Sequence, residues 1–445
     1  MIGETVTHPR YGPGVVQASR SKGFELSVAF DDGLTRWVRL DDLGMSGTLR
    51  PGSGPQARPS MPSDQHFQSR RMIEAFRLGI VPHDCINEFT FGRNSETKEL
   101  LSWLDSPAAS TLLLIGEYGT GKSHLLHYAY SRALHEGFAV ALVDMDPNEA
   151  PFRKPKRVYR RLVQTFKYLP ERHAPAKGFR DFVRAILAEG ALRRDEYFGH
   201  LTSTTTDEKL WDWIEGQEAA VRPWDPRYEG RYSHLPGLYD YSTAVNVYCH
   251  LLSTLGWAAV QILGLKGLLL LFDEAEGIGV YDYAYQEEKN HLFLKALIRT
   301  AASDERLLGS PWKTSLDYCG YASRVPFLHQ SPSGLKLLFA FTSLEWNYVH
   351  YWGQRVGDPR VPELQSATEL ELEPLSDEAL QEVFREICLR YDSAYDFLEG
   401  DLTISHIFDH IASRAGRTRL FVKGAVEALD LVRLNHGRSL DEVLQ

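Results

Sequence analysis

Eight consecutive residues have the types and spacing needed to hold a phosphate group. Residues 116–123 are Gly-Glu-Tyr-Gly-Thr-Gly-Lys-Ser and fit the pattern G-x-x-x-x-G-K-[ST]. The glycines let backbone N–H groups curl around an anion, Lys122 would reach the β- and γ-phosphates, and Ser123 would lie on Mg²⁺. We therefore predict an ATP site whose binding residues are Gly116, Glu117, Tyr118, Gly119, Thr120, Gly121, Lys122, Ser123 and His124.

The residues on either side of this loop predict the strand and the helix that must position it. The apolar run at residues 112–115 predicts a buried parallel strand, and residues 124–135 predict a helix directly after the loop. The helix N-terminus would add a partial positive charge toward the phosphates. The alternative, a chance glycine-rich turn, does not account for both flanks.

A second acidic motif lies far along the chain. Residues 267–274, Gly-Leu-Leu-Leu-Leu-Phe-Asp-Glu, predict a strand buried on both faces that ends in two carboxylates. Asp273 would hold Mg²⁺ together with Ser123, and Glu274 would act as the general base on the attacking water. The alternative is an exposed acidic strand end. No second RecA-like set of motifs is present, which argues against a helicase.

These segments resemble the P-loop ATPases of the AAA+ class, and the resemblance implies further roles. Thr342, with Ser343 second, would sense the γ-phosphate from the strand at residues 335–343, although a hydroxyl there could instead cap a helix. Arg419, with Arg417 as the alternative, would sense the γ-phosphate from the stretch Gly-Arg-Thr-Arg at residues 416–419. Alternatively, these arginines bind no ligand. Arg355 or Arg360 would be the arginine finger. Adenine-pocket candidates, for which core packing is the alternative, are Ile80, Val81 and Phe91.

The amino-acid composition limits which classes of protein this chain can belong to. The 445 residues are 43% hydrophobic and 24% charged, which predicts two or three globular domains. A net charge of −10 argues against coating nucleic acid by bulk charge. The dispersed Cys85, Cys249, Cys319 and Cys388 predict reduced thiols. No leader and no apolar run of about 18 residues is apparent, so we expect a cytoplasmic protein without membrane contact.

Short β-rich runs open the chain, at residues 4–7, 14–18, 25–30 and 35–40. The pattern Val6-x-His8-x-x-Tyr11-Gly-x-Gly-Val, followed by Val-x-Phe-Asp-Asp-Gly at residues 28–33, resembles the Tudor-like module of UvrD-type helicases. That resemblance implies an SH3- or Tudor-like barrel that binds protein or nucleic acid. Arg10, Tyr11 and Trp37 would lie on its surface, unless the two aromatic rings fill its core.

The predicted fold is therefore α/β. A small SH3/Tudor-like module (1–43) and a flexible linker (44–68) precede a P-loop AAA+ domain with a parallel sheet (69–375). A helical insertion interrupts that domain at about residues 150–240, and an α-helical, winged-helix-like lid closes the chain (376–445). Six basic residues between positions 153 and 161 predict a contact with nucleic acid or an acidic partner, or else the solvated start of a helix.

Five stretches together resemble the BrxD-type ATP-binding proteins of BREX bacteriophage-defence systems, related to the ATPase part of BrxC. They are residues 70–82, Phe-Gly-Arg at 91–93, residues 115–125, Leu-Leu-Phe-Asp-Glu-Ala-Glu-Gly at 270–277 and residues 416–419. The resemblance implies partners among defence proteins (helicase, methyltransferase or nuclease components), DNA as a further candidate, and an ATP-dependent homo-oligomer. Two functions remain open: an AAA+ ATPase driving DNA-associated assembly or remodelling, and a slow nucleotide-gated switch, STAND-like or origin-recognition-like, that recruits partners.

Overall fold

The computed structural model describes residues 5–8, 12–20, 25–30, 35–39, 64–80, 83–172, 174–217, 235, 245–279, 284–308, 327–342, 363–364, 367–397, 401–412, 418–435 and 442. The chain divides into two compact units, residues 1–61 and 62–445. None of the described helices is both long enough and apolar enough to cross a membrane.

The first unit contains an antiparallel sheet in which each strand pairs with the next. Its strands are β1 (Thr5–His8), β2 (Gly12–Arg20), β3 (Glu25–Phe30) and β4 (Thr35–Arg39), close to the predicted runs. Alternate apolar residues form one buried cluster: Val6, Val16, Leu26, Val28, Phe30 and Val38. Closure into an SH3- or Tudor-like barrel stays a prediction. Arg10 and Tyr11 lie outside the described residues, and the backbone of Trp37 lies in β4.

A sheet of five parallel strands forms the centre of the second unit. They are β5 (Thr111–Gly116), β6 (Phe138–Asp144), β7 (Gly267–Asp273), β8 (Leu335–Thr342) and β9 (Thr368–Leu372), in the spatial order β6-β7-β8-β5-β9. The strand β8 thus lies between the two motif strands β5 and β7. Since parallel strands place their carboxyl ends at one edge, the loop after β5 and the acids after β7 meet there.

Helices cover both faces of this sheet, which explains why its strands are apolar throughout. On β5, Leu112 and Leu114 pack with α2 (Asn94–Asp105) and α3 (Lys122–His135), whereas Leu113 and Ile115 belong to the opposite core. That larger core includes residues of the remaining helices of this region: α4 (Pro155–Thr165), α5 (Phe179–Ala188), α6 (Glu208–Ile214), α7 (Val245–Gln261) and α8 (Ala284–Ala301). The helices α4 to α6 occupy the predicted insertion.

The C-terminal helices form a separate core with a helix from the start of the unit. Apolar residues of α1 (Asp64–Arg77), α9 (Asp377–Tyr395), α10 (Asp401–Ala412) and α11 (Thr418–Leu434) pack together. Arg77 donates from Nε to Asp430 at 2.8 Å, and the Ser69 hydroxyl donates to that of Ser393 at 3.0 Å. Residues 64–68 of the predicted linker are therefore helical, and α1 packs with the predicted lid.

Candidate functional site

The loop between β5 and α3 borders a cavity of about 500 Å³, lined among others by residues 118–125. Gly119 and Gly121 have φ values of 85° and 104°, which side chains rarely allow and which turn the loop back over the helix N-terminus. At Gly116 a Cβ atom would lie 2.8 Å from the Thr120 hydroxyl oxygen and 3.0 Å from the Leu372 carbonyl oxygen. These three glycines are therefore required by backbone geometry and close packing.

Lys122 folds back over the loop that it follows. Its Nζ donates to the carbonyl oxygens of Gly116 and Glu117 at 3.0 and 3.1 Å. Burial lowers the pKa of Lys122, and the nearby carboxylates, Glu276 and Asp273 foremost, oppose that shift. A partly desolvated ammonium group next to the cavity is suited to neutralise a phosphate.

Arg93 is a buried cation that anchors the loop, and the sequence analysis assigned it no role. Its guanidinium group pairs with Glu96 at 2.7 Å and donates to the carbonyl oxygens of Thr120 and Glu373 at 2.8 and 2.6 Å. Only 7% of Arg93 is exposed. It therefore joins the phosphate-binding loop to α2 and to the segment after β9. The Phe-Gly-Arg stretch contained the residue, but its partners lie up to 280 positions away.

His124 is the last residue of the predicted binding set and lines the same cavity. Its Nε2 lies 3.0 Å from the Thr90 hydroxyl oxygen. Burial, helped by the positive charge of Arg93, lowers the pKa of His124 to about 4, so the ring is neutral at pH 7. This arrangement supports a role in holding the loop against the preceding segment.

The predicted metal ligands Ser123 and Asp273 meet at the carboxyl edge of the sheet. Asp273 is buried, and it accepts hydrogen bonds from Ser123 and from the backbone N–H of Glu274, the latter at 2.9 Å. Burial raises the pKa of Asp273 despite these bonds. Among the described residues, no group of three or more His, Cys, Asp or Glu side chains could hold a metal. A hydroxyl and one carboxylate suit Mg²⁺, which keeps water and phosphate ligands.

Glu274 follows β7 with a φ of 51°, an unusual value for a residue with a side chain. This conformation turns the strand end, and the carboxylate lines the cavity with an exposed side chain. Partial desolvation, followed by the negative charges of Asp144 and Asp273, raises the pKa of Glu274. A carboxylate with a raised pKa, on the rim of a phosphate-sized cavity, is suited to accept a proton.

Thr342 ends β8 between the two motifs and lines the same cavity. Its side chain is buried, and its hydroxyl and backbone N–H both donate to Glu276, at 2.8 and 3.3 Å. Ser343, the second sensor candidate, lies outside the described residues. The sequence pattern predicts no role for Glu276.

The other end of the cavity is apolar. It is lined by Phe76, Ile86, Phe89, Leu375, Val383, Ile387 and Val422, and by the adenine candidates Ile80 and Phe91. Val81 lies outside the described residues. A cavity with a polar, charged end and an aromatic, apolar end matches a nucleotide in both chemistry and size.

Arg419 reaches this cavity from the second residue of α11. Its side chain is exposed, and Nη1 donates to the Tyr118 hydroxyl at 3.3 Å. The predicted sensor of the helical region thus contacts the phosphate-binding loop directly. Arg355, Arg360 and Arg417 fall outside the described residues.

Part of the basic run at the start of α4 is engaged within the fold. Lys156 is buried, Arg157 donates to the Asn148 carbonyl oxygen at 3.0 Å, and Arg161 forms an ion pair with Glu149. These contacts fit the alternative prediction, a helix start, because Arg157 and Arg161 already have internal partners.

The parallel sheet and the glycine loop at a helix N-terminus fit a P-loop-like α/β fold. Residues 65–187 match the family model of the BREX system ATP-binding protein BrxC/D. This match confirms the predicted resemblance to the BrxC/D-type ATP-binding proteins of BREX systems. No significant match was found among curated proteins.

Proposed function

We propose that this protein is an AAA+ ATPase that hydrolyses ATP with Mg²⁺ and uses the resulting motion in DNA-associated assembly or remodelling during phage defence. The meeting of residues 116–123 with Asp273 and Glu274 in one cavity carries the proposal. The strand order β6-β7-β8-β5-β9, with one strand between the two motifs, supports the AAA+ class.

Each residue has a distinct part in the proposed reaction. The backbone of the loop and Lys122 hold the phosphates and neutralise their charge. Ser123 and Asp273 would hold Mg²⁺, which would supply positive charge to offset the charge developing on the phosphate oxygens. Glu274 orients the attacking water and accepts its proton, while Thr342 and Arg419 approach the γ-phosphate from the sheet and the helical region.

The helical region is the proposed moving part. Because Arg419 contacts Tyr118 of the loop, loss of the γ-phosphate would change the position that α11 favours. The helices α1, α9, α10 and α11 share one core, so we infer that they would move together. Other components of the defence system, and a second copy of this chain that supplies an arginine, are the proposed recipients of this motion.

The second candidate is a slow nucleotide-gated switch, in which ATP occupancy recruits a partner and hydrolysis only resets the site. The net charge of −10 and the internal engagement of part of the basic run favour a protein partner over bulk DNA binding. Strong stimulation of ATP turnover by DNA would favour the first function. Partner capture supported equally by ATP and a non-hydrolysable analogue would favour the second.

The Glu274→Gln variant tests the reaction itself. Gln keeps the size of the side chain but cannot accept the proton, so ATP binding should persist and turnover should fall at least about 100-fold. The matched control is Glu99→Gln, an exposed position on α2 away from the cavity lining. Unchanged turnover in Glu274→Gln would remove Glu274 from its proposed role.

A further inference from the structure

Glu276 lies two residues after the proposed base, in the short 3₁₀ helix Ala275–Gly279, and it lines the same cavity. Its two carboxylate oxygens accept the two donors of Thr342: Oε1 accepts the hydroxyl at 2.8 Å and Oε2 the backbone N–H at 3.3 Å. A threonine has only one hydroxyl hydrogen. While Glu276 holds it, Thr342 cannot donate that hydrogen to a phosphate.

The negative charge of Glu276 also acts where a γ-phosphate would bind. Among the carboxylates near Lys122, Glu276 has the largest effect in raising the pKa of the Lys122 ammonium group, followed by Asp273. Glu276 therefore binds the hydroxyl that should meet the γ-phosphate, and its negative charge also acts on the nearby ammonium group of Lys122. A γ-phosphate would bring a second negative charge close to it, and like charges repel at short range.

We propose that Glu276 makes this site discriminate between ATP and ADP, because its carboxylate accepts the hydrogen bond of the Thr342 hydroxyl. A γ-phosphate can accept a hydrogen bond from this hydroxyl only after the bond to Glu276 is broken. ADP leaves the Glu276–Thr342 pair intact. Glu276 is thus a positioning residue that weakens ATP binding relative to ADP binding. This inference rests on the proposed function, since it requires a nucleotide in the cavity with its phosphates at residues 116–123.

The pair also gives the γ-phosphate a connection to the rest of the fold. The 3₁₀ helix that carries Glu276 is attached to α8, because the Asn290 side-chain amide donates to the buried Ile278 carbonyl oxygen at 2.7 Å. Release of Thr342 would free Glu276 to move with this segment. ATP and ADP states would then differ at α8 as well as at the C-terminal helices.

Titration calorimetry with ATP and with ADP, in the presence of Mg²⁺, tests the proposal on the full chain. In Glu276→Gln the negative charge is gone and one of the two acceptors is lost. ATP should bind about tenfold more tightly, about 1.4 kcal/mol, whereas ADP affinity should change less than about twofold. Glu99→Gln, the exposed control on α2, should leave both affinities unchanged.

A second variant tests the hydroxyl without altering the carboxylate. Thr342→Val should weaken ATP binding more in the Glu276→Gln background than in the native chain. The reason is that the hydroxyl can donate to the phosphate only when it no longer donates to Glu276. Equal costs in both backgrounds would overturn the positioning role. Weaker ATP binding, or an unchanged ATP-to-ADP ratio in Glu276→Gln, would overturn the discrimination.

The outcomes separate this inference from the proposed function. If the native chain binds ATP but does not hydrolyse it, hydrolysis fails while the affinity ratio still decides the role of Glu276. If the native chain hydrolyses ATP and Glu276→Gln leaves the ratio unchanged, the inference about Glu276 fails alone. If the native chain binds neither nucleotide, both are overturned.

Discussion

Arg93→Met removes the buried cation beneath the phosphate-binding loop while keeping most of its volume. The change leaves Glu96 without its ion-pair partner and the carbonyl oxygens of Thr120 and Glu373 without their donor. Breaking a buried ion pair from one side costs about 3–5 kcal/mol. The Glu96 side chain is 12% exposed and keeps a hydrogen bond from Ser95 at 2.7 Å, which places the expected loss near the lower end.

A loss of about 3 kcal/mol corresponds to a modest fall in melting temperature. With about 2 cal/mol/K of unfolding entropy per residue, the 62–445 unit should lose about 1 °C per kcal/mol, hence about 3–4 °C in a thermal melt. ATP affinity should also fall about tenfold or more, by about 1.4 kcal/mol, because the Thr120 carbonyl is no longer fixed. Calorimetric melting and ATP titration measure the two effects separately.

Two further variants test whether the effect of Arg93→Met comes from the buried ion pair. Arg93→Met combined with Glu96→Gln should recover part of the stability, because no uncompensated charge remains buried. Arg132→Met breaks a half-exposed pair between Arg132 on α3 and Glu136, which directly follows α3, and should cost less than about 1 kcal/mol. A melting temperature of Arg93→Met equal to that of Arg132→Met, with unchanged ATP affinity, would refute the anchoring role.

Three other predictions concern protonation and assembly. Because Asp144 is the largest charge raising the pKa of Glu274 above 4.5, Asp144→Asn should move the acid limb of turnover to lower pH; an unmoved limb would contradict Glu274 as the base. The pKa of His124 is about 4 when folded and 6.5 in its ordinary state, so the stability it supports is complete above pH 6.5 and falls from there toward pH 4. Since the ring is partly exposed, we expect about 1–2 kcal/mol; urea unfolding at pH 7 and pH 5 should show a weaker pH dependence in His124→Gln, and an identical dependence would exclude this histidine. ATP with Glu274→Gln should give a larger assembly in native mass measurements than ADP does, whereas equal masses would count against a site completed by a neighbouring copy.

The sequence located the motif strands because their chemistry is local. The apolar runs before Gly116 and Asp273 are typical of strands buried on both faces, and β5 and β7 lie where these runs are. Periodicity does not determine strand order, so the position of β8 between them comes from the structure.

Other features depend on contacts between distant segments, which one sequence does not display. Arg93 meets Glu373 across 280 positions, and Thr342 meets Glu276 across 66. The packing of α1 with the C-terminal helices joins Ser69 to Ser393, 324 positions apart. Each of these residues is ordinary in its local context, and its function arises only when the sheet brings the segments together.

Binding of ATP at residues 116–123 is the central claim, and titration of the native chain with ATP and Mg²⁺ tests it most directly. The Lys122→Ala variant is the comparison, because it removes the ammonium group of a residue that lines the cavity, and alanine is a favourable residue in a helix. One ATP per native chain, with affinity reduced at least about tenfold in Lys122→Ala, is the predicted result. No binding by the native chain, or equal affinity in Lys122→Ala, would contradict the account.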